Sequence, residues 1–145
     1  MEYQRFENTL YLRLDRGEEV VESIRRLAEA EHIKLAAVSG LGATDDFTVG
    51  VYDVGEKKYH SLTFTGAHEI TSLTGTINTM DGKHYSHLHM TASDITGRVV
   101  GGHLNRARIS ITCELVITVT DGTVDRFLDE SIGINLYRFP EGKTL

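Results

Sequence analysis

Apolar residues recur with the period of a helix in one segment of the chain. Between Gly17 and Glu31, four of them fall on a single helical face: Val20, Ile24, Leu27 and Ala28. Glu18 and Glu19 stand in the first turn, where the helix dipole favours negative charge. The pattern predicts an amphipathic helix with Asp15 or Gly17 as its N-cap.

The rest of the chain alternates apolar and polar residues with the period of two that is typical of β-strands. Ahead of the helix, Leu10, Leu12 and Leu14 predict one strand. After it, strands are predicted at 36–39, 47–53, 59–65, 69–79, 83–93, 98–104, 109–120, 123–128 and 135–139. Asp-Gly pairs at 81–82 and 121–122 indicate hairpins, because a type I′ turn needs positive φ at both central residues.

No linker, repeat or low-complexity segment divides this pattern. We therefore predict a single domain over residues 1–145 with one helix and a mostly antiparallel sheet. Gly40 and Gly42 begin a G-x-G pattern, but Asp45 stands in place of the third glycine and a strand follows. These glycines are interpreted as a tight turn or close backbone packing, and they do not indicate a dinucleotide site.

Charge and cysteine content narrow the function classes. The 145 residues include 15 Lys+Arg and 21 Asp+Glu, a net charge of -6, and no basic run, which argues against unaided DNA binding. Cys113 is the single cysteine, so no intrachain disulfide can form, and its apolar neighbours predict a core position. No apolar run approaches the length of a membrane span or a signal peptide. The expected location is the cytoplasm, without a membrane partner.

Strand register brings two of the seven histidines together. If Asp81-Gly82 is a two-residue loop, Met80 pairs with Lys83 and the register is fixed along both strands. Thr74 then lies opposite His89, and Thr76 lies opposite His87. Both histidines point to the face away from the apolar residues of the same hairpin.

A third histidine joins them if the next loop has three residues. With Gly97 closing that loop in the left-handed region, Asp94 pairs with Arg98 and His89 lies directly opposite His103. A two-residue loop would instead place His103 opposite Met90. The glycine at the third loop position favours the first register.

Three converging imidazoles predict a metal site formed by His87, His89 and His103. Neutral imidazole suits Zn²⁺, with Ni²⁺ or another late transition ion as the alternative, and a three-histidine site usually keeps a coordination position open. Thr74 or Thr76 is the candidate acceptor behind the ligands. Glu69 is the candidate general base, and Gly101 and Gly102 are expected to leave room above the sheet. The other histidines are interpreted as surface residues: His32, His60, His68 and His84. The alternative is that tertiary folding brings His68 or Glu69 near the site.

Seven segments, in order along nearly the whole chain, resemble the PPC domain (plant and prokaryote conserved domain) family. They are LDRGEEV at 14–20, VSGLGA at 38–43, GVYD at 50–53, EITSLTG at 69–75, DGK at 81–83, HLH at 87–89 and VVGGHL at 99–104.

The resemblance implies an α/β (α+β) fold with a central, mostly antiparallel sheet flanked by one main helix, and assembly as a homotrimer. It also implies a metal site at His87, His89 and His103 in prokaryotic members. It implies no particular enzymatic activity. In plants the domain follows an AT-hook, a short Arg-Gly-Arg-Pro type segment that binds DNA. This chain has no such segment, since its one proline is Pro140, and it resembles the stand-alone prokaryotic type.

Three hypotheses follow. The first is a homotrimeric, zinc-containing protein that binds a small anionic or carbonyl-bearing ligand, with metal-assisted hydrolytic or lyase chemistry as one outcome. The second is a DNA-binding or transcription-associated protein. The third is a pure oligomerisation or protein-interaction module in which the histidines have no role.

Overall fold

The computed structural model describes residues 1–139 and 142. Its strands and helix, in chain order, are β1 (Glu2–Phe6), β2 (Thr9–Asp15), α1 (Val20–Ala30), β3 (Ala36–Asp53), β4 (Lys58–Met80), β5 (Lys83–Asp94), β6 (Val99–Val119), β7 (Asp125–Asp129) and β8 (Ile134–Arg138). The predicted architecture of a mostly antiparallel sheet with one helix is confirmed. The one proline, Pro140, lies outside the described residues.

Six strands form the main sheet in the order β1-β2-β6-β3-β4-β5, and β7 and β8 form a separate two-stranded sheet. The first part of β6 also pairs with β5, so the four long strands β3, β4, β5 and β6 close into a ring. This closure brings the start of β6 next to β5 on one side and β3 on the other, and His103 lies at that point.

The long strands explain where the predicted boundaries were wrong. The segments predicted at 36–39 and 47–53 belong to one strand, β3, which bends at irregularities between Gly40 and Gly42 and between Thr44 and Asp46. The tight turn considered for the two glycines is absent from this strand. A side chain on Gly42 would collide with the backbone of Thr112 and Cys113, so close backbone packing is the correct interpretation.

The two Asp-Gly pairs behave differently. Asp81 and Gly82 both have positive φ, 53° and 73°, and close the predicted hairpin between β4 and β5. The hairpin predicted at Asp121-Gly122 is wrong, because β6 ends at Val119 and β7 pairs with β8. The Thr120 N–H donates to the Leu35 carbonyl at 2.9 Å, so the pairing of β6 with β3 continues to Thr120, just before the Asp-Gly pair. Strand β1 was not predicted.

The helix packs its predicted apolar face on the sheet, since Val20, Ile24, Leu27 and Ala28 are all buried. Its N-cap is Glu19, not Asp15 or Gly17. The Glu19 carboxylate accepts hydrogen bonds from the backbone N–H groups of Val21 and Glu22 at 3.1 and 2.7 Å. Cys113 is part of the core as predicted, and burial raises the pKa of its thiol to about 12. No helix among residues 1–139 has the length and apolar character needed to cross a membrane.

The β7–β8 hairpin is attached to the end of β4. The Thr79 N–H donates to the Val124 carbonyl at 3.2 Å, and the Thr79 hydroxyl donates to Asp125 at 2.8 Å. These bonds hold the hairpin beside β4 and β5. Its residues consequently line one side of the space in front of the histidines.

Candidate metal centre

The two loops have the register that the sequence predicts. Met80 pairs with Lys83, which places Thr74 opposite His89 and Thr76 opposite His87. In the next loop the Asp94 N–H donates to the Arg98 carbonyl at 3.0 Å, and Gly97 has a φ of 81°.

His89 therefore lies directly opposite His103, and Met90 lies opposite Gly102. The alternative register, with His103 facing Met90, does not occur.

The three imidazoles converge on one point. The ring centroid of His87 is 5.1 Å from those of both His89 and His103, and the His89 and His103 centroids are 5.6 Å apart. One nitrogen from each ring lies within 4.8 Å of the other two. The Nε2 atoms of His87 and His89 are 3.3 Å apart. Two nitrogens bound at about 2.0–2.1 Å to a tetrahedral ion stand about 3.3–3.4 Å apart, so this pair fits such an ion.

Burial keeps two of the three imidazoles, those of His87 and His103, in the form that binds metals. It lowers the pKa of His87 to about 4, and repulsion from protonated neighbouring imidazoles, His103 foremost, and from Arg126 adds to this effect. Burial likewise lowers the pKa of His103. Both rings are neutral at pH 7, and neutral imidazole is the form that coordinates a metal.

A cavity of about 560 Å³ opens in front of the histidines. Its wall includes Tyr52, Tyr59 and Tyr85, and the Tyr59 and His103 rings meet edge to face with centroids 6.2 Å apart. Gly50 makes space for the Tyr59 ring, which any side chain at position 50 would strike. The cavity is of the size that small-molecule sites usually have, about 300–1,000 Å³.

Gly101 and Gly102 were expected to leave room above the sheet, but their main effect is on strand packing. A side chain at Gly102 would approach the Gly50 carbonyl oxygen to 2.6 Å, and one at Gly101 would collide with the Met90 carbonyl. Their role is close approach of β6 to β3 and β5. Gly102 also lines the cavity, so some room above the sheet does result.

Sequence reasoning missed Arg126, which lies in the cavity wall. The residue is in β7 and only 5% exposed. Its Nη2 atom is 3.4 Å from Nδ1 of His87. Its position in the sequence was the available signal. In the strand predicted at 123–128, Val124, Arg126 and Leu128 share one face, so a charged residue stands between two apolar residues.

Glu69, the candidate base, is not brought to the histidines. It is exposed and lies beside a separate cavity of about 140 Å³ with His68 and Asp94. Thr74 and Thr76 make no hydrogen bond to the three imidazoles among the described residues; the Thr76 hydroxyl instead accepts from Asn78 and Tyr137. The remaining histidines, His32, His60 and His84, also stand outside the cluster.

The sequence profile of the Plants and Prokaryotes Conserved (PCC) domain matches residues 1–121. The chain belongs to this family. PCC and PPC are two abbreviations of the same domain name, and the resemblance drawn from the sequence motifs is confirmed. Among curated proteins, no relative matches the chain.

Solved PPC-like structures share the fold over almost the full length. A candidate DNA-binding protein from Ralstonia eutropha JMP134 is 32% identical with a TM-score of 0.88, covering 95% of this chain and 96% of its own. A metal-containing protein from Archaeoglobus fulgidus is 30% identical with a TM-score of 0.84, covering 95% and 97%. A candidate DNA-binding protein from Bacteroides thetaiotaomicron VPI-5482 is 26% identical with a TM-score of 0.94, covering 97% and 98%.

Proposed function

We propose that this PPC-domain protein holds one transition-metal ion per chain, zinc before other ions, with His87, His89 and His103 as its ligands. The adjoining cavity binds a small ligand. The observation that carries the proposal is the 3.3 Å separation of the Nε2 atoms of His87 and His89, with a nitrogen of His103 within 4.8 Å of both. The metal content named for the Archaeoglobus fulgidus relative supports it.

A bound zinc ion with an open position would polarise an oxygen atom of a ligand or lower the pKa of a water to about 7. Glu69 is too far along the sheet to serve this site from within the chain: it is five residues from Thr74, the partner of His89, or about 16 Å at strand spacing. We therefore propose metal and ligand binding and assign no general base.

Metal analysis tests the proposal. Wild-type protein, purified without chelator and analysed by plasma mass spectrometry, is expected to carry about one zinc per chain. His89→Ala removes a ligand, and we expect its zinc content to fall below about one tenth of an equivalent.

The matched control is His60→Ala, because His60 is exposed on β4 and outside the cluster. It should keep the wild-type zinc content. The proposal is wrong if wild-type protein carries less than about one tenth of an equivalent and binds no added Zn²⁺, Ni²⁺ or Co²⁺.

The proposed domain spans the whole chain, residues 1–145. The bonds from Asn78 and Thr79 to the β7–β8 hairpin support this extent beyond the matched segment 1–121. The proposed compartment is the cytoplasm, which the single buried Cys113 favours, because proteins of oxidising compartments more often carry disulfides.

DNA association is the second candidate, supported by the names of the Ralstonia and Bacteroides relatives. The net charge of -6 opposes it. Several arginines that a phosphate backbone would need are already paired with carboxylates: Arg5, Arg13, Arg25, Arg106 and Arg108.

We expect no saturable binding to mixed-sequence duplexes in fluorescence anisotropy at either low or physiological salt. Binding that weakens steeply with salt would favour this candidate instead, because it reports counterion release from phosphates.

A further inference from the structure

Arg126 is a buried cation without an anionic partner in the described part of the chain. No carboxylate of residues 1–139 lies within the 4.0 Å of an ion pair. Its two short hydrogen bonds go to neutral acceptors: Nε donates to Asn78 Oδ1, and Nη1 donates to the Asn135 carbonyl, both at 2.8 Å. Buried charges in proteins are normally paired or coordinate an ion.

The guanidinium is also held in place. It lies 4.7 Å from the centroid of the Tyr85 ring and 4.4 Å from that of Tyr137. Aromatic rings favour a stacked guanidinium and restrict its plane. A fixed planar group with unused N–H donors is suited to the two oxygens of a carboxylate or phosphate.

The cavity differs in charge from the protein around it. The chain has 21 acidic and 15 basic residues, yet none of the described residues that line the cavity is Asp or Glu. Arg126 and the three histidines are its ionisable lining apart from the tyrosines. A bound metal cation would add to the same positive field.

Arg126 and the proposed ion would act on one ligand. A single imidazole, that of His87, separates them: its Nδ1 is 3.4 Å from Arg126 Nη2, and its Nε2 faces His89. When Nε2 coordinates a metal, the proton of the neutral ring is on Nδ1, which can then no longer accept from Arg126. The Nη2 edge is thereby released for an external acceptor.

We propose that Arg126 is a ligand-binding residue that recognises the oxyanion group of a small molecule in this cavity, with an adjacent oxygen of the same molecule reaching the metal. The shared chemistry is a carboxylate or a phosphate. This inference rests on the proposed metal site for the second contact and on Arg126 alone for the first.

The test uses glycolate, its neutral amide glycolamide and inorganic phosphate as probes. Each is titrated by calorimetry into zinc-loaded and chelator-treated protein, and the zinc content of every sample is measured. We expect saturable binding of glycolate or phosphate, and glycolamide to bind about tenfold more weakly or worse, because it lacks the charge that Arg126 recognises. A preference for glycolate indicates a carboxylate ligand, and a preference for phosphate indicates a phosphorylated one.

Arg126→Gln removes the charge, and we expect it to weaken oxyanion binding about 10- to 100-fold. Arg138→Gln is the matched control, because Arg138 lies on the same hairpin but is exposed and outside the cavity wall. It should bind within about twofold of wild type. Near-ultraviolet circular dichroism checks the fold of both variants. If Arg126→Gln does not fold, the comparison of glycolate with glycolamide on chelator-treated wild-type protein still decides, because no metal ion is then present to prefer the carboxylate.

The inference is overturned if neither anion binds saturably, if glycolamide binds as well as glycolate while phosphate fails to bind, or if a folded Arg126→Gln binds the anions like wild type. Any of these results, obtained with protein that contains zinc, contradicts only the role of Arg126 and is compatible with the proposed metal site. Conversely, Arg126-dependent anion binding to protein that takes up no metal would retain this inference while the proposed metal site fails.

Discussion

At the scale of single residues, the imidazole of His87 connects the other histidines of the cluster to Arg126. One nitrogen faces His89, and the other faces the buried Arg126. Removing the ring from water and placing cations near it both disfavour its protonated form. The same environment that prepares His87 for a metal makes the folded, metal-free protein sensitive to acid.

We predict that metal-free protein loses stability as the pH falls from about 6.5 to about 4. The unfolded chain protonates His87 near pH 6.5 and the folded chain near pH 4, so within this window the unfolded state binds more protons. His87 is half-buried, and after screening its contribution is about 1–2 kcal/mol. Urea unfolding of chelated protein at several pH values measures it.

His87→Asn is the comparison, because carboxylates titrate in the same window and contribute equally to both proteins. The difference in unfolding free energy between wild type and His87→Asn should change by this amount between pH 7 and pH 4. A constant difference would contradict the lowered pKa.

The sequence predicts which side chains meet at the site where their meeting depends on local spacing. It does not predict meetings that depend on a tertiary contact. The convergence of His89 and His103 follows from one glycine at the third position of a short loop. The contact of Arg126 with His87 joins residues 39 positions apart through a hairpin that leaves the main sheet. The prediction of Glu69 as a base near the histidines also depended on tertiary structure. The closed ring of strands determines which part of β4 faces the cavity, and the sequence pattern does not show that closure.

At the scale of elements, turn chemistry predicts pairing when the strands around the turn have no better partner. Asp81-Gly82 connects β4 and β5, and each strand finds its neighbour across the turn. After Asp121-Gly122 the equivalent pairing is unavailable, because β2 and β3 already occupy both edges of β6 up to Thr118 and Val119. The chain therefore leaves β6 and forms β7–β8 by itself.

The predicted strands were too short. Glycines and polar residues usually end strands, but in this protein they lie within the long strands. β3 continues through Gly40, Gly42 and the Thr44–Asp46 irregularity without losing its partners β4 and β6. Bulges of this kind bend a strand and allow a sheet to curve. The closure that places His103 beside His89 depends on this curvature, which no period-two pattern predicts.

At the scale of the whole molecule, the sheet face away from the helix exposes large apolar side chains. Tyr11 is 55% exposed and Leu41 is 57% exposed, and both line a groove of about 650 Å³ with Tyr3 and Val116. Exposed apolar groups gathered in this way mark interaction sites. The homotrimer that the PPC resemblance implies would cover this face with further copies of the chain.

We predict that the protein in solution has a mass of about three times the 16.1 kDa chain, measured by light scattering during gel filtration. Leu41→Asp puts a charge in the groove and should release monomers, while Leu62→Asp, at a leucine 66% exposed outside the groove, should not.

The three proposed metal ligands come from one chain, so the Leu41→Asp monomer should keep about one zinc per chain. A wild-type mass of 16.1 kDa contradicts the trimer, and a zinc-free monomer would mean that assembly completes the site.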